Sequence, residues 1–552
     1  MPTTESPSPT GSDPTSDDDG APVLIVGAGP VGLVAACELA RHGVTARVVE
    51  ALDEPTTQSR AVGVQPRSQE LFAALGILDR VAGLSLPQRH IEIDTRDGDG
   101  VRPLVRIDMQ ELPTRHPTIL NLPQTATEAV LRERAAELGV RIERGVRLTG
   151  LTQDPDGVDV VLQSATGTER ARYPWVVGAD GGHSAVRGLA GSALQGEFRG
   201  SHFAMADVTV HSAFPTDVTR LFASPGGLTV MLCMAHGRTR LMFQVPDPGP
   251  DAGTGPSLEL IAQLARDRMG AEVTVSDPSW LTYYSIHHAQ VPQYRIGRVL
   301  LGGDAAHIHS PAGGQGMNTG MQDAANLAWK LALVSRAAAG AELLDSYHDE
   351  RHPVGAAVVR KATVMADAMT LPGVRATARN AGMRLVGRLD AVTHALAENL
   401  AELTVGYRHS PIVRREDHRP RGALRAGDHA EDLVDLTDGH GVPVRIEDLL
   451  GRHPGHLLLV GTTDTELLGQ LRDVLGELGV VLPLVATAQG APEDAVVDAG
   501  GELARRYGIG ERGMALVRPD GYLGYLAGRI DADGLADHLS QDLHVPLSIS
   551  RV

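Results

Sequence analysis

The residues best suited to chemistry lie in one stretch of nineteen residues, Gly302 to Gly320, which reads G-G-D-A-A-H-I-H-S-P-A-G-G-Q-G-M-N-T-G. An apolar, β-favouring run precedes it, so Asp304 is expected at the carboxyl end of a buried strand, where it can accept hydrogen bonds from ligand hydroxyls. The helical spacing of the apolar residues that follow predicts a long helix beginning near Gly316 or Met317. The N–H groups at that helix end would attract an anion or a carbonyl oxygen, and the glycines would let a flat ligand approach. A glycine-rich loop alone is as often a simple tight turn, so the other motifs decide between the two interpretations.

A second glycine motif, G-A-G-P-V-G from Gly27 to Gly32, stands between an apolar strand and a predicted helix. Glu50 ends the next predicted strand, about 20 positions further on, as the dinucleotide-binding fingerprint requires. In that fingerprint the first glycine permits a tight turn, Gly29 lets a pyrophosphate approach, and the third lets helix and strand pack closely. Glu50 is expected to accept hydrogen bonds from ribose hydroxyls. The motif predicts a dinucleotide, and it suits FAD and NAD equally.

Two further stretches carry candidate binding residues. Arg60 follows the dinucleotide motif, and an arginine there can face phosphates. Arg67 is left open between that role and a solvated surface position. The run G-A-D-G-G-H-S-A-V-R brings Asp180 and Gly181 to the end of another predicted strand. This run, like the stretch from Gly302, therefore places an aspartate at a glycine-rich strand end.

The composition limits the classes of partner. The chain has 552 residues, enough for about three domains, and its net charge of −18 argues against nucleic acid and against an anionic membrane surface. Cys37 and Cys233 are the only cysteines, which excludes a disulfide framework and fits a reducing cytoplasm. No apolar run approaches the ~18 residues of a membrane span. His307 and His309 are two positions apart in a loop with only Asp304 nearby, so no metal site is predicted.

The order of elements predicts an α/β fold with an inserted antiparallel sheet and a separate C-terminal α/β unit. The predicted divisions are a disordered tail (1–20), a dinucleotide-binding domain with a helical extension (21–182 and 285–405), the inserted sheet (183–284), a polar linker (406–425) and the C-terminal unit (426–552). The sheet is expected to wall one side of a substrate pocket, although a purely structural insert is the alternative. The C-terminal unit contains no cysteine, which excludes dithiol redox chemistry there.

Together, the three motifs resemble those of the single-component flavoprotein aromatic hydroxylases, the group A flavin monooxygenases. The resemblance is greatest to the bacterial aromatic-polyketide hydroxylases of antibiotic biosynthesis and to the rifampicin monooxygenases. It extends over nearly the whole chain from Ala21. Proteins of this kind carry a C-terminal thioredoxin-like domain without redox cysteines, so the resemblance implies that fold for the C-terminal unit.

The resemblance also implies FAD as the cofactor, with NADPH or NADH as a transient co-substrate. The implied contacts are Gly27, Gly29, Gly32 and Glu50 with the adenosine half; Arg60 and Gln124 near the pyrophosphate and ribityl chain; Asp304 with the ribityl chain; the backbone of Gly316, Met317 and Asn318 with the flavin pyrimidine edge; Asp180 and Gly181 with both FAD and NAD(P)H; and Pro311 over the reactive edge of the flavin.

The implied reaction uses NAD(P)H and O₂ to hydroxylate an aromatic, polycyclic polyketide-type ring through a flavin C4a-hydroperoxide. His287 and His288 stand where an arginine is expected, and His288 is a candidate for helping to deprotonate a phenol, against the alternative of an ordinary buried histidine. Baeyer–Villiger oxygenation, epoxidation, simple reduction and a non-catalytic FAD-binding relative remain open at this point. So do the choice of NADH or NADPH, the substrate, and the oligomeric state, for which a homodimer is one candidate.

Overall fold

A computed structural model of the chain describes residues 21–97, 100–224, 226–249, 253–309, 314–369, 373–414, 422–431 and 433–547. The predicted tail and Pro311 lie outside these ranges. The strands are β1 (Val23–Val26), β2 (Ala46–Glu50), β3 (Gly63–Val64), β4 (Leu86–Gln88), β5 (His90–Asp97), β6 (Gly100–Asp108), β7 (Ile119–Asn121), β8 (Ile142–Arg144), β9 (Arg147–Gln153), β10 (Val158–Ser164), β11 (Gly167–Tyr173), β12 (Trp175–Gly178), β13 (Gln195–His211), β14 (Val218–Ser224), β15 (Gly227–Cys233), β16 (Thr239–Val245), β17 (Thr274–Gln290), β18 (Arg295–Ile296), β19 (Val299–Leu301), β20 (His307–Ile308), β21 (Leu436–Asp438), β22 (Pro443–Val444), β23 (His456–Val460), β24 (Gly479–Val485), β25 (Val496–Val497), β26 (Met514–Val517) and β27 (Leu523–Ala527).

Helices alternate with these strands in the first and last thirds of the chain. They are α1 (Pro30–Arg41), α2 (Pro66–Ala74), α3 (Leu78–Leu84), α4 (Gln124–Glu137), α5 (Ala185–Leu189), α6 (Leu258–Met269), α7 (Gly316–Ser335), α8 (Asp345–Met369), α9 (Gly373–Val386), α10 (Asp390–Leu400), α11 (Ile446–Arg452), α12 (Thr465–Leu475), α13 (Glu502–Arg506) and α14 (Ala532–Asp537). No helix in the described part of the chain is long and apolar enough to cross a membrane.

A six-stranded sheet in the order β18-β19-β12-β1-β2-β8 forms the centre of the first domain. Its strands β19, β12, β1, β2 and β8 run parallel, while β18 pairs antiparallel with β19 at one edge. β1 and β19 are buried along their whole length, as expected for apolar strands covered on both faces. The carboxyl ends of β1, β12 and β19 therefore meet at one edge of the sheet. In chain order they lead into the first motif (27–32), the second motif (178–187) and the third motif (302–320). The predicted strand–loop–helix order is confirmed at both glycine-rich loops.

An eight-stranded sheet in the order β20-β17-β13-β16-β15-β14-β5-β6 forms the second layer. It contains the predicted antiparallel insert, but it also takes in β5 and β6 from an earlier part of the chain, and β14 pairs with β5 in parallel. Alternate residues of β13 face opposite sides: Ala204 and Ala206 pack with α6, whereas Phe203 and Met205 pack towards α10. At the other edge, β20 pairs with β17, so the motif that begins at Gly302 contributes a strand to this sheet.

Two small antiparallel sheets, β11-β10-β9 and β3-β7-β4, complete the first part of the chain. The C-terminal unit has its own sheet in the order β22-β21-β25-β24-β23-β26-β27. Two local predictions are confirmed there: β26 and β27 pair as a hairpin, and the Asp464 side chain caps α12 by accepting from the N–H groups of Glu466 and Leu467. The unit shares a buried apolar cluster with α7, in which Trp329 and Leu333 pack with Leu458 and other residues.

Candidate functional site

Three loops are joined by backbone hydrogen bonds at the carboxyl edge of the six-stranded sheet. The N–H of Gly27 donates to the carbonyl oxygen of Val49 (2.8 Å), that of Ala179 to Val26 (2.9 Å), and that of Gly302 to Gly178 (3.0 Å). These bonds fix the ends of β1, β2, β12 and β19 against one another. The three sequence motifs therefore lie next to one another at this edge of the sheet.

The three glycines of the first motif are required for different physical reasons. A Cβ at Gly27 would overlap the backbone of Ala179, and one at Gly32 would overlap the carbonyl oxygen of Gly27. A Cβ at Gly29 would meet nothing within 4 Å, and α1, which starts after it, has no side-chain cap. Two of the glycines are therefore needed for packing, while Gly29 leaves room above uncapped N–H groups, where a phosphate is stabilised.

Glu50 lies beside this glycine loop at the end of β2. Its Oε2 accepts from the N–H of Ala28 (2.9 Å) and its Oε1 from that of Leu52 (3.0 Å). Each carboxylate oxygen can accept a further hydrogen bond, and the side chain is only half-buried. The carboxylate is thus oriented by the backbone and keeps acceptor capacity for ligand hydroxyls.

Asp304 lies in the third motif, and its side chain is open to solvent. No hydrogen bond from the described residues reaches its carboxylate. Neighbouring protein atoms still shield the carboxylate from part of the solvent, and this desolvation raises the pKa of Asp304. The charges of His307 and Arg60 oppose the rise. The carboxylate is therefore available to a ligand, with a positive charge from the first domain close by.

Gln124 holds the loop that carries Arg60. Its side-chain Oε1 accepts from the N–H of Ala61 (3.0 Å), and its own N–H donates to Ser59 Oγ (2.9 Å). From the eight-stranded sheet, Arg240 Nη1 donates to the carbonyl oxygen of Arg60 (2.8 Å). The Arg60 side chain itself is exposed, so its backbone is fixed while its guanidinium remains accessible.

Asp180 closes its own loop. Its Oδ2 accepts from the N–H of Ala185 (2.7 Å) and of Val186 (3.1 Å), and Ser184 Oγ donates to its Oδ1 (2.5 Å). Burial raises the pKa of Asp180, and these hydrogen bonds oppose the rise. Arg187 Nη1 then donates to the carbonyl oxygen of Ala305 (3.1 Å). The second motif thus holds the third in place, and Gly181, at φ 77°, lies in the turn between β12 and α5.

The start of α7 lies at the same site, and its N-cap Gln315 gives no side-chain cap. The Asn318 amide is used within the protein: its Oδ1 accepts from the N–H of Gln65 (2.9 Å), and its Nδ2 donates to the carbonyl oxygens of Gly63 and Gly314 (2.9 Å each). The backbone N–H groups of this turn have no side-chain cap, and the ligand contacts that the resemblance implies for Gly316, Met317 and Asn318 stay a prediction.

A buried ion cluster beneath these loops was missed from the sequence. Asp323 Oδ2 lies 2.8 Å from His307 Nε2 and accepts from the N–H of Gly303 (3.1 Å), and Arg351 Nε donates to Oδ1 (2.7 Å). Burial alone would raise the pKa of Asp323, but Arg351 and His307 more than offset it and hold the pKa below its ordinary value. The cluster fixes the turn before Asp304. Asp323 lies just beyond the third motif, and local spacing gives no sign of its partner in α8.

Comparison with known proteins agrees with this arrangement. The family described as "FAD binding domain" matches residues 20–362. The 6-methylpretetramide 4-monooxygenase of Streptomyces rimosus is 35% identical over 96% of this chain and 94% of its own length. The rifampicin monooxygenase of Streptomyces venezuelae is 35% identical over 81% of this chain and 97% of its own. The chain belongs to the FAD-dependent aromatic monooxygenases. Among solved structures, the flavin-dependent monooxygenase PieE in complex with FAD and substrate aligns with a TM-score of 0.80 at 26% identity, over 96% of this chain and 100% of that one.

The residues at this sheet edge fit FAD. Gly29 leaves room at the start of α1, the start of α7 has no side-chain cap, and Asp304 keeps an open carboxylate between them. A long ligand with an anionic centre and hydroxyl groups suits this series of donors and acceptors. Among the residues that the structure describes, no group of three or more His, Cys, Asp or Glu side chains could hold a metal ion.

Two predicted catalytic residues stay predictions. Pro311 lies outside the described residues. His288 is buried in β17, opposite Glu197, and its Nδ1 lies 3.0 Å from Thr363 Oγ1 of α8. The structure describes the backbone of His287 but not its side chain.

Proposed function

We propose that this monooxygenase uses FAD, NAD(P)H and O₂ to add one oxygen atom to a polycyclic, polyketide-type phenol. The observation that carries the proposal is that two uncapped helix ends and the Asp304 carboxylate lie at one edge of the parallel sheet, beside the eight-stranded sheet whose Arg240 donates to the backbone of Arg60. The two Streptomyces relatives are named for 6-methylpretetramide and rifampicin, and these substrates support the proposed class. Both NADPH and NADH suit the proposal.

The proposed cofactor contacts follow the geometry of the site. Gly29 and the start of α1 would receive the pyrophosphate, with Arg60 near it, and Glu50 would bind the ribose hydroxyls. Asp304 would bind the ribityl chain, and the start of α7 the pyrimidine edge. Gly27, Gly32, Gln124, Asp180 and Gly181 would act by shaping the loops, since their described contacts lie within the protein.

When bound, FAD supplies the redox and oxygen chemistry. The backbone N–H groups at the start of α7 would stabilise negative charge on the ring edge, an effect worth about 0.3–1 kcal/mol when exposed and up to ~2 when partly buried. The eight-stranded sheet would exclude water from the other side. Pro311 and His288 are proposed to face the reacting ring, His288 as a base for a phenol.

The face of the sheet turned towards the first domain is suited to a flat ring system. Phe203 and Tyr284 stack there with centroids 5.6 Å apart, and Met205 and Met242 lie in the same cluster. The Tyr284 hydroxyl is buried without a hydrogen-bond partner among the described residues. A buried hydroxyl of this kind is costly unless a partner arrives, so we propose that it binds a carbonyl or hydroxyl of the substrate.

Finer features of the architecture are also proposals. The domain division is 21–182 with 285–405, 183–284 and 426–552, joined by the linker 406–425. The C-terminal unit is proposed to be thioredoxin-like, which is supported by the parallel pair β23–β24 beside the antiparallel β26–β27 hairpin. A cytoplasmic location is supported by two buried free cysteines, and a homodimer is proposed as the assembly.

The test compares polycyclic and single-ring phenols in the FAD-loaded enzyme under ¹⁸O₂. We expect polycyclic phenols to accelerate NAD(P)H oxidation most and to gain one ¹⁸O atom as a hydroxyl group. Equal oxidation rates with and without every phenol, together with stoichiometric peroxide, would indicate an oxidase or a reductase. Insertion beside a ketone or formation of an epoxide would indicate the alternative oxygenations, and a protein that takes up no FAD would be a non-catalytic relative.

A further inference from the structure

Glu402 holds a buried carboxyl group against the first turns of α7. It follows α10, and its side chain accepts hydrogen bonds from Thr319 Oγ1 (2.7 Å) and from the Gln322 amide. The residue is 3% exposed, and its backbone has φ 61°. That left-handed conformation is disfavoured for a residue with a Cβ, and such strain is found where surrounding structure fixes a side chain for a purpose.

The hydrogen-bond donors to Glu402 are neutral, and among the described residues it forms no ion pair. Burial raises the pKa of Glu402 to about 7, with Thr319, Arg351 and Gln322 opposing the rise and Asp323 adding to it. Arg351 is already paired with Asp323. The charged or titratable groups that face Glu402 or line the cavity beside it are Asp323 on α7, Asp349, Glu350, Arg351 and Lys361 on α8, and Tyr407 and His409 beyond α10.

A cavity of about 300 Å³ gives this carboxyl group a route for proton exchange. Its lining includes Glu402, the α7 N-cap Gln315, and Lys361 near the surface. Gln315 Nε2 donates to the carbonyl oxygen of Asn399 (2.9 Å), which connects the end of α10 with the start of α7.

We propose that Glu402 is a positioning residue that sets the charge at the start of α7 by holding or releasing a proton. When Glu402 is neutral, the positive N-terminal end of α7 attracts an anionic flavin edge at full strength. When Glu402 is ionised, its negative charge weakens that attraction. The proposal rests on the flavin position given above. At a separation of ~10 Å and an effective dielectric constant of ~20, one charge changes an affinity on the order of tenfold.

The main test is the midpoint potential of bound FAD between pH 6 and pH 8.5. Ionised Glu402 disfavours the reduced anion, so the wild-type potential should fall more steeply across pH 7 than that of Glu402→Gln. In this variant the amide oxygen can accept from the Gln322 amide and the amide Nε2 can donate to the Thr319 hydroxyl, so both contacts are kept with the direction of one reversed. At pH 6 the two proteins should agree, and at pH 8.5 the variant should have the higher potential. Glu447→Gln, at a buried glutamate outside the site, is the control and should match the wild type.

A second measurement uses the FAD-free protein. The infrared band of a buried neutral carboxyl group should disappear as pH rises through about 7, and Glu402→Gln should lack that band. Thr319→Val removes a donor to the carboxylate, so it should move the transition to higher pH. Equal pH profiles of the potential, or a band unchanged by Glu402→Gln, would overturn the proposal. A protein without monooxygenase activity that still shows both effects would contradict the proposed function alone.

Discussion

Arg518 and Glu350 form the centre of a buried ion cluster that docks the C-terminal unit. Arg518, from the β26–β27 hairpin, donates from Nη1 and Nη2 to the two carboxylate oxygens of Glu350 in α8 (2.7 and 2.8 Å). Lys330 Nζ donates to Glu350 Oε2 (2.7 Å), and Arg518 Nε donates to Asp520 Oδ1 (3.0 Å). All four side chains are nearly inaccessible to solvent. Two positive and two negative charges therefore balance inside the protein.

Arg518→Met leaves this cluster with one unbalanced negative charge, and Glu350→Gln leaves it with one unbalanced positive charge. Breaking a buried pair by removing one partner costs about 3–5 kcal/mol, so each single variant should lose that amount of unfolding free energy. The double variant keeps Lys330 and Asp520 and restores neutrality. Its loss should be smaller than the sum of the single losses by about 0.5–3 kcal/mol, the range for residues in contact.

The assay is urea unfolding followed by the fluorescence of Trp329, whose ring centroid lies 5.2 Å from the Arg518 guanidinium carbon. Trp175 and Trp280 are replaced by Phe in every protein of the set, so that Trp329 alone reports. Arg414→Met is the control, because the pair of Arg414 with Asp542 is partly exposed and pairs of that kind contribute about 0–1 kcal/mol. Single losses no larger than the control, or strictly additive losses in the double variant, would refute the idea of a balanced cluster.

Three further predictions concern the site. Gly29→Ala should leave the FAD-free protein as stable as the wild type but weaken FAD binding in equilibrium titration. Gly32→Ala should destabilise the FAD-free protein itself because, of these two glycines, only Gly32 is packed against backbone. Tyr284→Phe should raise the KM for a phenolic substrate with unchanged FAD affinity; an unchanged KM would exclude a substrate hydrogen bond. Burial raises the pKa of Cys37 to about 12 and also raises that of Cys233, so replacing both by Ser should leave turnover per bound FAD unchanged, and a loss in folded, FAD-loaded protein would reveal a needed thiol.

The parts of the fold that the sequence predicts are those governed by local chemistry. Apolar runs that end in glycine give β1, β12 and β19, and a capping aspartate marks the start of α12. The larger sheet is different. Ile91 and Ile93 alternate with polar residues as a half-buried strand should, but β5 pairs with β14, more than 120 residues later in the chain. The local sequence of such a strand does not indicate which sheet it joins.

The same limit applies to the candidate site. Motif spacing identifies Asp304, Gly29 and the start of α7, because a loop at a strand end needs no distant partner to be recognised. The Asp180 side chain, for which the resemblance implies a contact with FAD and NAD(P)H, is engaged with its own loop. The sequence gives a residue type at a position, but the choice between a ligand and a neighbouring loop depends on tertiary contacts.

One turn of α8 links the C-terminal unit with the cofactor loops. Glu350 binds Arg518 of the C-terminal hairpin, while the next residue, Arg351, donates to Asp323 and to the carbonyl oxygen of Thr319 (3.0 Å). Asp323 in turn accepts from the backbone just before Asp304. Because adjacent residues on one rigid helix make these contacts, the docking of the C-terminal unit and the position of the third motif depend on each other. A unit that fixes α8 in this way can support the cofactor site through packing and charge alone, without a redox cysteine.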